Sequence, residues 1–302
     1  MKRVETSESD QLPAPSMAGA GLDRLSSVFE RFHVRASLFH TGTICGLQRF
    51  EAEPGRAFLH VLRRGEMELR HRDEGGLKRL QLTEPTLLLF PKASYHEFVN
   101  PPRDGPDFTC ATLAFDGGDR NPIVQSLPSL VAAPLAAIDG LEPALGLLFS
   151  EADQNRCGSR LLANRLFEVV LLQVLRWIID HPAQAGVTRG LIRGLSDPRL
   201  APMFVAVHSA PEQDWTLEKM AALAAMSRST FAAAFRSATG TTPALYVLDW
   251  RLSIAMNLMR AGQSIKQVAM ELGFADPPSF SKAFHRRIGS APRQWINDAA
   301  PS

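Results

Sequence analysis

The sequence predicts an α+β chain with a β-rich first part, a helical middle and an all-α final third. Three observations predict it. Short apolar runs alternate with turn residues between about Leu25 and Phe115. Apolar residues then recur at helical spacing from Leu161 to Ile179. From Ser196 onward glycine and proline serve only as punctuation, and one pattern of phenylalanine, glycine and proline occurs twice.

The size and composition are consistent with this. At 302 residues the chain fits two domains, and a hydrophobic fraction of 45% supplies real cores. No apolar run approaches the roughly 18–20 residues of a membrane span, so no membrane partner is expected. Met1 to Asp10 carries Lys2 and Arg3 and then polar and acidic residues, which is no secretory signal. Residues 1–22 read as a disordered tail, and the expected location is the cytoplasm. There the three cysteines Cys45, Cys110 and Cys157 would be reduced thiols, too few for a disulfide framework. The net charge of +2 does not announce nucleic acid. Ala201 to Ser302 holds ten Lys and Arg against seven Asp and Glu, a mild excess that decides nothing alone.

In chain order, residues 23–180 read as one unit. Phe58 to Leu62, Met67 to His71 and Leu87 to Phe90 read as strands, separated by turn signals at Arg64-Gly65 and Asp73 to Gly76. That pattern suggests a small barrel or sandwich. The later helix carries Leu162, Leu166, Val169, Val170, Val174 and Trp177 on its apolar stripe, with the polar Gln173 among them. The stripe suits core packing, a dimer interface, or both. Residues 181–196 read as a linker, and residues 197–298 as the all-α domain.

The repeat is specific. Phe231, Phe235, Gly240 and Pro243 stand at offsets 0, 4, 9 and 12, and Phe280, Phe284, Gly289 and Pro292 repeat them 49 residues later. Upstream, Thr216 and Ser264 suit helix N-caps, and Gly273 suits a left-handed turn. Each phenylalanine pair at i, i+4 anchors one face of a second helix and leaves the other free for a groove. Two helix-turn-helix units result, joined by a helix from Pro243 to Arg260. Its stripe of Leu248, Leu252, Ala255 and Met259 can hold two readers about 34 Å apart, one DNA turn. A plain helical bundle would not require the same punctuation twice.

Trp215 to Trp295 resembles the DNA-binding domain of the AraC/XylS family. The resemblance rests on Ala225-Met226-Ser227-Arg228-Ser229-Thr230-Phe231, Gly240-Thr241-Thr242-Pro243 and Trp250-Arg251-Leu252. It rests also on Val268-Ala269, Gly273-Phe274, Ser279 to Phe284, and Gly289-Ser290-Ala291-Pro292. The implied partner is double-stranded promoter DNA, with RNA polymerase contact, homodimerisation and an unidentified effector also expected. Such regulators lean to activation. Ala232 to Ala234 replace polar residues usual in the family, so reading by the first unit falls on Arg228, Ser229 and Thr230, with Arg236 beside them. In the second, Ser279, Ser281, Lys282 and His285 are groove or phosphate candidates, and Arg286 and Arg287 phosphate candidates. Pro277-Pro278 removes N–H groups there, and Trp295-Ile296 stands where Tyr-Arg is common. A solvated surface is the alternative for each charged residue.

Residues 23–180 resemble the cupin sensor domain of one branch of these regulators, giving a cupin-like β-barrel followed by helices. His60 to Gly65, Pro91 to His96, and Asn121-Pro122 through Leu127-Pro128 carry that likeness. Metal-dependent cupin enzymes carry paired histidines and a nearby glutamate, whereas His60 stands alone, so no enzymatic activity is expected. On the cupin reading Cys45, His60, His96 and Cys110 lie on four strands facing inward, a ligand set suited to zinc, with His40 as a substitute. Such a site can sense a metal or an oxidant. An apolar core with buried thiols and hydrogen-bonded histidines, or a small-molecule pocket, fits equally. Two further readings stay open: a cupin metalloenzyme using Glu66, Glu68 or Glu97, and an interaction scaffold that binds no DNA.

Overall fold

The computed structural model describes residues 21–73, 75–154 and 156–299. The expected tail lies outside these residues except for its last two positions. A short helix, α1 (Ser26–Phe29), precedes strands β1 (Val34–Thr43), β2 (Leu47–Phe50), β3 (Ala57–Arg64), β4 (Met67–Asp73), β5 (Gly76–Leu82), β6 (Thr86–Phe90), β7 (His96–Val99) and β8 (Asp107–Phe115). Helix α2 (Pro122–Ser126) and strand β9 (Val131–Pro134) close the β-rich part.

The strands form two antiparallel sheets, ordered β1-β8-β3-β6-β9 and β2-β7-β4-β5. They close face to face over Phe50, Phe58, Phe90, Phe98, Phe108, Met67 and Cys110. Helices α3 (Leu141–Asp153) and α4 (Ser159–Asp180) follow, and the outer face of the larger sheet joins them in a second core. Strand β3 is therefore covered on both sides, and Ala57 to Leu62 are all buried. That is why it reads as one continuous apolar run rather than an alternation.

Helix α4 buries Ala163, Phe167, Val170, Leu171, Val174, Leu175 and Ile178. The stripe read from the sequence is rotated relative to this face. Leu162 and Val169 are exposed, together with Leu161. The segment 181–196, read as a linker, holds helix α5 (Leu191–Ser196), whose Leu191, Ile192 and Leu195 are buried. The Gly190 N–H donates to the Ala238 carbonyl at 3.0 Å, so this segment is packed against the all-α domain rather than spanning solvent.

That domain comprises α6 (Ala201–Ser209), α7 (Leu217–Leu223), α8 (Arg228–Thr239), α9 (Pro243–Arg260), α10 (Ile265–Glu271), α11 (Pro277–Ile288) and α12 (Pro292–Ala299). One hydrophobic core runs from the sheet-covering helices into it. At the joint, Phe32 from just after α1 packs on Trp250 of α9 with ring centroids 5.1 Å apart. Both rings are buried. Among the described residues no helix is long and apolar enough to cross a membrane.

Candidate nucleic-acid interface and barrel interior

Local chemistry builds two helix-turn-helix units in the same way. Thr216 caps α7 by accepting from the Lys219 N–H at 3.3 Å. Ser264 caps α10 in a full capping box: its Oγ accepts from the Gln267 N–H at 3.3 Å, and Gln267 Oε1 accepts from the Ser264 N–H at 3.1 Å. The second helices are capped by Ser227, which accepts from Thr230, and by Asp276, which accepts from Ser279. Each unit turns on one residue with positive φ. In the second it is Gly273 at φ 71°, as expected; in the first it is Ala225 at φ 51°. Counted from the N-cap, the two positions correspond.

Phe231 and Phe235 of α8, and Phe280 and Phe284 of α11, are buried. With 100° per residue, the opposite face of α8 carries Ser229, Ala233, Arg236 and Ser237, and that of α11 carries Pro278, Lys282, His285 and Arg286, with Ala232 and Ser281 on the flanks. Ser229, Ala233, Arg236, Lys282, His285 and Arg286 are all exposed. Arg228 and Thr230 are exposed at the first turn of α8, where Arg228 pairs with Glu218 at 2.8 Å. Ser279 is exposed at the first turn of α11.

Arg287 is paired within the domain. It lies seven residues after Phe280, so it projects toward the Phe face, and it forms a bidentate pair with Asp249 of α9 at 2.5 and 2.7 Å. Its fork is thus engaged inside the domain and ties α11 to the central helix.

Inside the barrel the structure brings together two of the four sequence-predicted ligands. His60 Nε2 lies 3.0 Å from His96 Nε2, with both residues fully buried. The other His96 nitrogen, Nδ1, lies 3.0 Å from the Ser94 carbonyl oxygen. A carbonyl only accepts, so His96 Nδ1 carries the proton, His96 Nε2 accepts, and His60 Nε2 donates. His60 Nδ1 is then a bare lone pair, buried and without a partner among the described residues. Burial holds both imidazoles neutral: it pushes His96 down to about 4, and His60 well below its ordinary value, with help from the neighbouring His96. Phe90 and Phe50 sandwich His96, with centroids at 3.8 and 4.7 Å, and Phe58 stacks on His60 at 5.5 Å.

The two cysteines do not complete a four-ligand site. Cys110 pairs with His60 across β3 and β8 and is buried. Burial alone pushes its thiol well above the usual range, away from the thiolate that metal binding and oxidation require. Cys45 is exposed, beyond the end of β1. His40 turns its Nε2 to the Gly42 carbonyl at 3.0 Å. Among the described residues no three His, Cys, Asp or Glu side chains stand together as metal ligands. The Cys2His2 set is thus corrected to a histidine pair in an aromatic box, which does not fit a closed tetrahedral zinc site. The glutamates weighed for catalysis are engaged elsewhere or exposed. Glu68 pairs with Arg70 at 2.5 Å, Glu97 bonds Tyr95 and Arg49, and Glu66 is exposed.

Comparison with known proteins agrees with both halves. A family described as cupin matches residues 23–180, and one described as helix-turn-helix domain matches residues 220–298. The HTH-type transcriptional regulator AlkR of Acinetobacter baylyi is 29% identical over 180 residues, which is 58% of either chain. The RCS-specific HTH-type transcriptional activator RclR of Escherichia coli is 30% identical over 224 residues, 71% of this chain and 77% of that one. The matched part is thus less than two thirds of AlkR but more than two thirds of RclR. Among solved structures, ToxT of Vibrio cholerae is 12% identical at a TM-score of 0.39, covering 90% of this chain and 100% of that one. With these two domains in this order, the chain belongs to the AraC-type helix-turn-helix transcriptional regulators, DNA-binding proteins with an N-terminal cupin domain.

Proposed function

We propose that the chain is a one-component regulator in which an event at the His60–His96 pair changes how the two readers hold promoter DNA. The carrying observation is the shared core. Phe32 and Trp250 join the barrel half to the central helix of the DNA-binding half, so a change in barrel packing has a route into the reader. Such a regulator needs two arrangements of the joint that the effector distinguishes by affinity. A neutral pair with an unpartnered nitrogen can take a hydrogen-bond donor on a small molecule or, in place of the His60–His96 hydrogen bond, a borderline metal ion such as zinc as an incomplete, two-histidine contact.

The test is promoter affinity of the full chain, measured by fluorescence anisotropy, for wild type and His60→Ala, beside elemental analysis of protein purified without chelator. The proposal expects His60→Ala to keep wild-type basal DNA affinity and to abolish effector response in a reporter strain. A variant that still responds overturns it. One equivalent of zinc in wild type, lost in both His60→Ala and His96→Ala, identifies the metal form. Homodimerisation through the exposed Leu161, Leu162 and Val169 of α4 and contact with RNA polymerase belong to the same proposal. Light scattering on a Leu162→Glu variant tests the first, and transcription in vitro with purified polymerase tests the second.

A further inference from the structure

We infer that Arg251 is a positioning residue that fixes the distance and rotation between the two DNA readers, and so the operator spacing this protein accepts. A single connecting helix leaves two units free to swing, because long helices bend. Here α9 is 18 residues, about 27 Å at 1.5 Å per residue. A second connection closes a triangle with it. Arg251, in the middle of α9, donates from Nε to the Pro211 carbonyl at 2.6 Å and from Nη2 to the Gln213 carbonyl at 2.7 Å. Those two carbonyls bracket the segment that leads into the first unit. The same guanidinium sits 5.8 Å from the ring centroid of Phe274, in the turn of the second unit.

Between them the backbone of the second unit meets the lead-in of the first directly. A Cβ placed on Gly273 would lie 2.0 Å from the Glu212 carbonyl oxygen. The turn of the second unit therefore rests against the lead-in of the first with no side chain between, and Arg251 holds the contact from the α9 side. The planar fork suits this place, since it serves two carbonyls at once and presents a face to an aromatic ring. Phe274 is itself packed edge-on against Phe280 of α11, with centroids 5.2 Å apart. The connection thus runs from the first unit's entry to the second recognition helix.

DNA makes this fixing measurable. One inserted base pair displaces the half-sites by about 3.4 Å and rotates them by about 34°, more than a clamped pair of readers can follow. The experiment begins with an operator selected by the full chain from a random duplex library. Affinity is then measured for that operator and for duplexes with one base pair inserted or deleted between its two contacted segments. Wild type is expected to lose at least tenfold on either change. Arg251→Ala is expected to bind the selected operator more weakly and to lose less than threefold on the same changes. Arg251→Lys, with one point charge for two carbonyls, falls between them.

The readout is the spacing penalty within each variant, which a merely structural loss would leave unchanged because it weakens all duplexes alike. A wild-type penalty under threefold overturns the inference, as does an Arg251→Ala variant that keeps the wild-type penalty. Should Arg251→Ala lose its helical circular dichroism, Phe274→Leu keeps apolar volume, removes the ring under the guanidinium, and is judged by the same two ratios.

Discussion

His208 offers a perturbation whose size follows from its surroundings. It lies on α6, fully buried, packed at a tilt against Trp250 with centroids 4.0 Å apart, and its Nε2 is 2.7 Å from the Tyr246 hydroxyl. Its Nδ1 has no partner among the described residues. Burial depresses its pKa from 6.5 to about 3. The unfolded chain therefore takes up a proton below about pH 6.5 that the folded chain refuses. The stability tied to this residue is full above pH 6.5 and is lost as the pH falls toward about 3. At about pH 5 the loss is 1.5 units at 1.36 kcal/mol each, about 2 kcal/mol. That is a large part of an ordinary domain stability of about 5–15 kcal/mol. His96, depressed to about 4, acts in the same direction, as does His60. The assay is urea unfolding between about pH 8 and pH 5 for wild type and His208→Gln, whose amide can still meet the Tyr246 hydroxyl. Wild type should lose about 2 kcal/mol more than the variant across that range. Parallel pH profiles would refute the buried neutral histidine at the joint.

The DNA contacts and the turns carry three further predictions. Lys282→Ala should weaken promoter binding and lower the slope of log affinity against log salt by about one, whereas Arg287→Ala should leave that slope unchanged and cost about 1 kcal/mol or less of stability, as expected for a half-exposed pair. Salt titrations of both variants check this. Ala225→Gly should raise the melting temperature, gaining about 1 kcal/mol by relieving a left-handed alanine, without changing the selected operator. Ser264→Ala should destabilise by about 1 kcal/mol, since it removes the cap of α10 and half of a reciprocal capping box. Thermal unfolding measures both.

Much of the all-α domain is legible in the sequence because its signals are local. The phenylalanine pairs, the capping residues and Gly273 each act within one turn of chain, and the repeat shows them twice. Ala225 is not legible, since nothing about alanine announces a left-handed turn; only its alignment with Gly273 from the caps reveals it. Arg287 can be placed from the pattern, because a residue seven after Phe280 shares its face. The barrel is less legible. Strand alternation points Cys45 inward, but β1 ends at Thr43 and its pairing slips between Leu38 and His40. Alternation predicts nothing past a strand end or across such a slip. His60 and His96 sit well inside β3 and at the start of β7, and there the inference holds. The polar start of 181–196 and Gly186 suggest a linker, while Leu191, Ile192 and Leu195 form a buried helical face too short for periodicity to register.

The two readers are unequal, and the rigid connection gives that inequality a consequence. The outward face of α8 offers Ser229, Ala233, Arg236 and Ser237, with Ala232 and Ala234 on its flanks, while α11 offers Lys282, His285 and Arg286, with Ser281 on its flank. Alanine methyls can meet a thymine methyl but cannot hydrogen-bond a base edge, so α11 carries more of the polar contact. A weak reader tethered loosely would add little, because its gain is diluted over every orientation the tether allows. Held at one distance and rotation, the same face meets its half-site at high effective concentration once α11 is seated. Weak contacts on α8 then discriminate between operators without being strong enough to bind alone. On this argument, freeing the clamp at Arg251 should harm the contribution of α8 far more than that of α11. Arg236→Ala should therefore cost several-fold in affinity in the wild-type background and close to nothing in Arg251→Ala, while Lys282→Ala costs about the same in both. Equal losses from Arg236→Ala in the two backgrounds would mean that the first reader binds independently of the clamp.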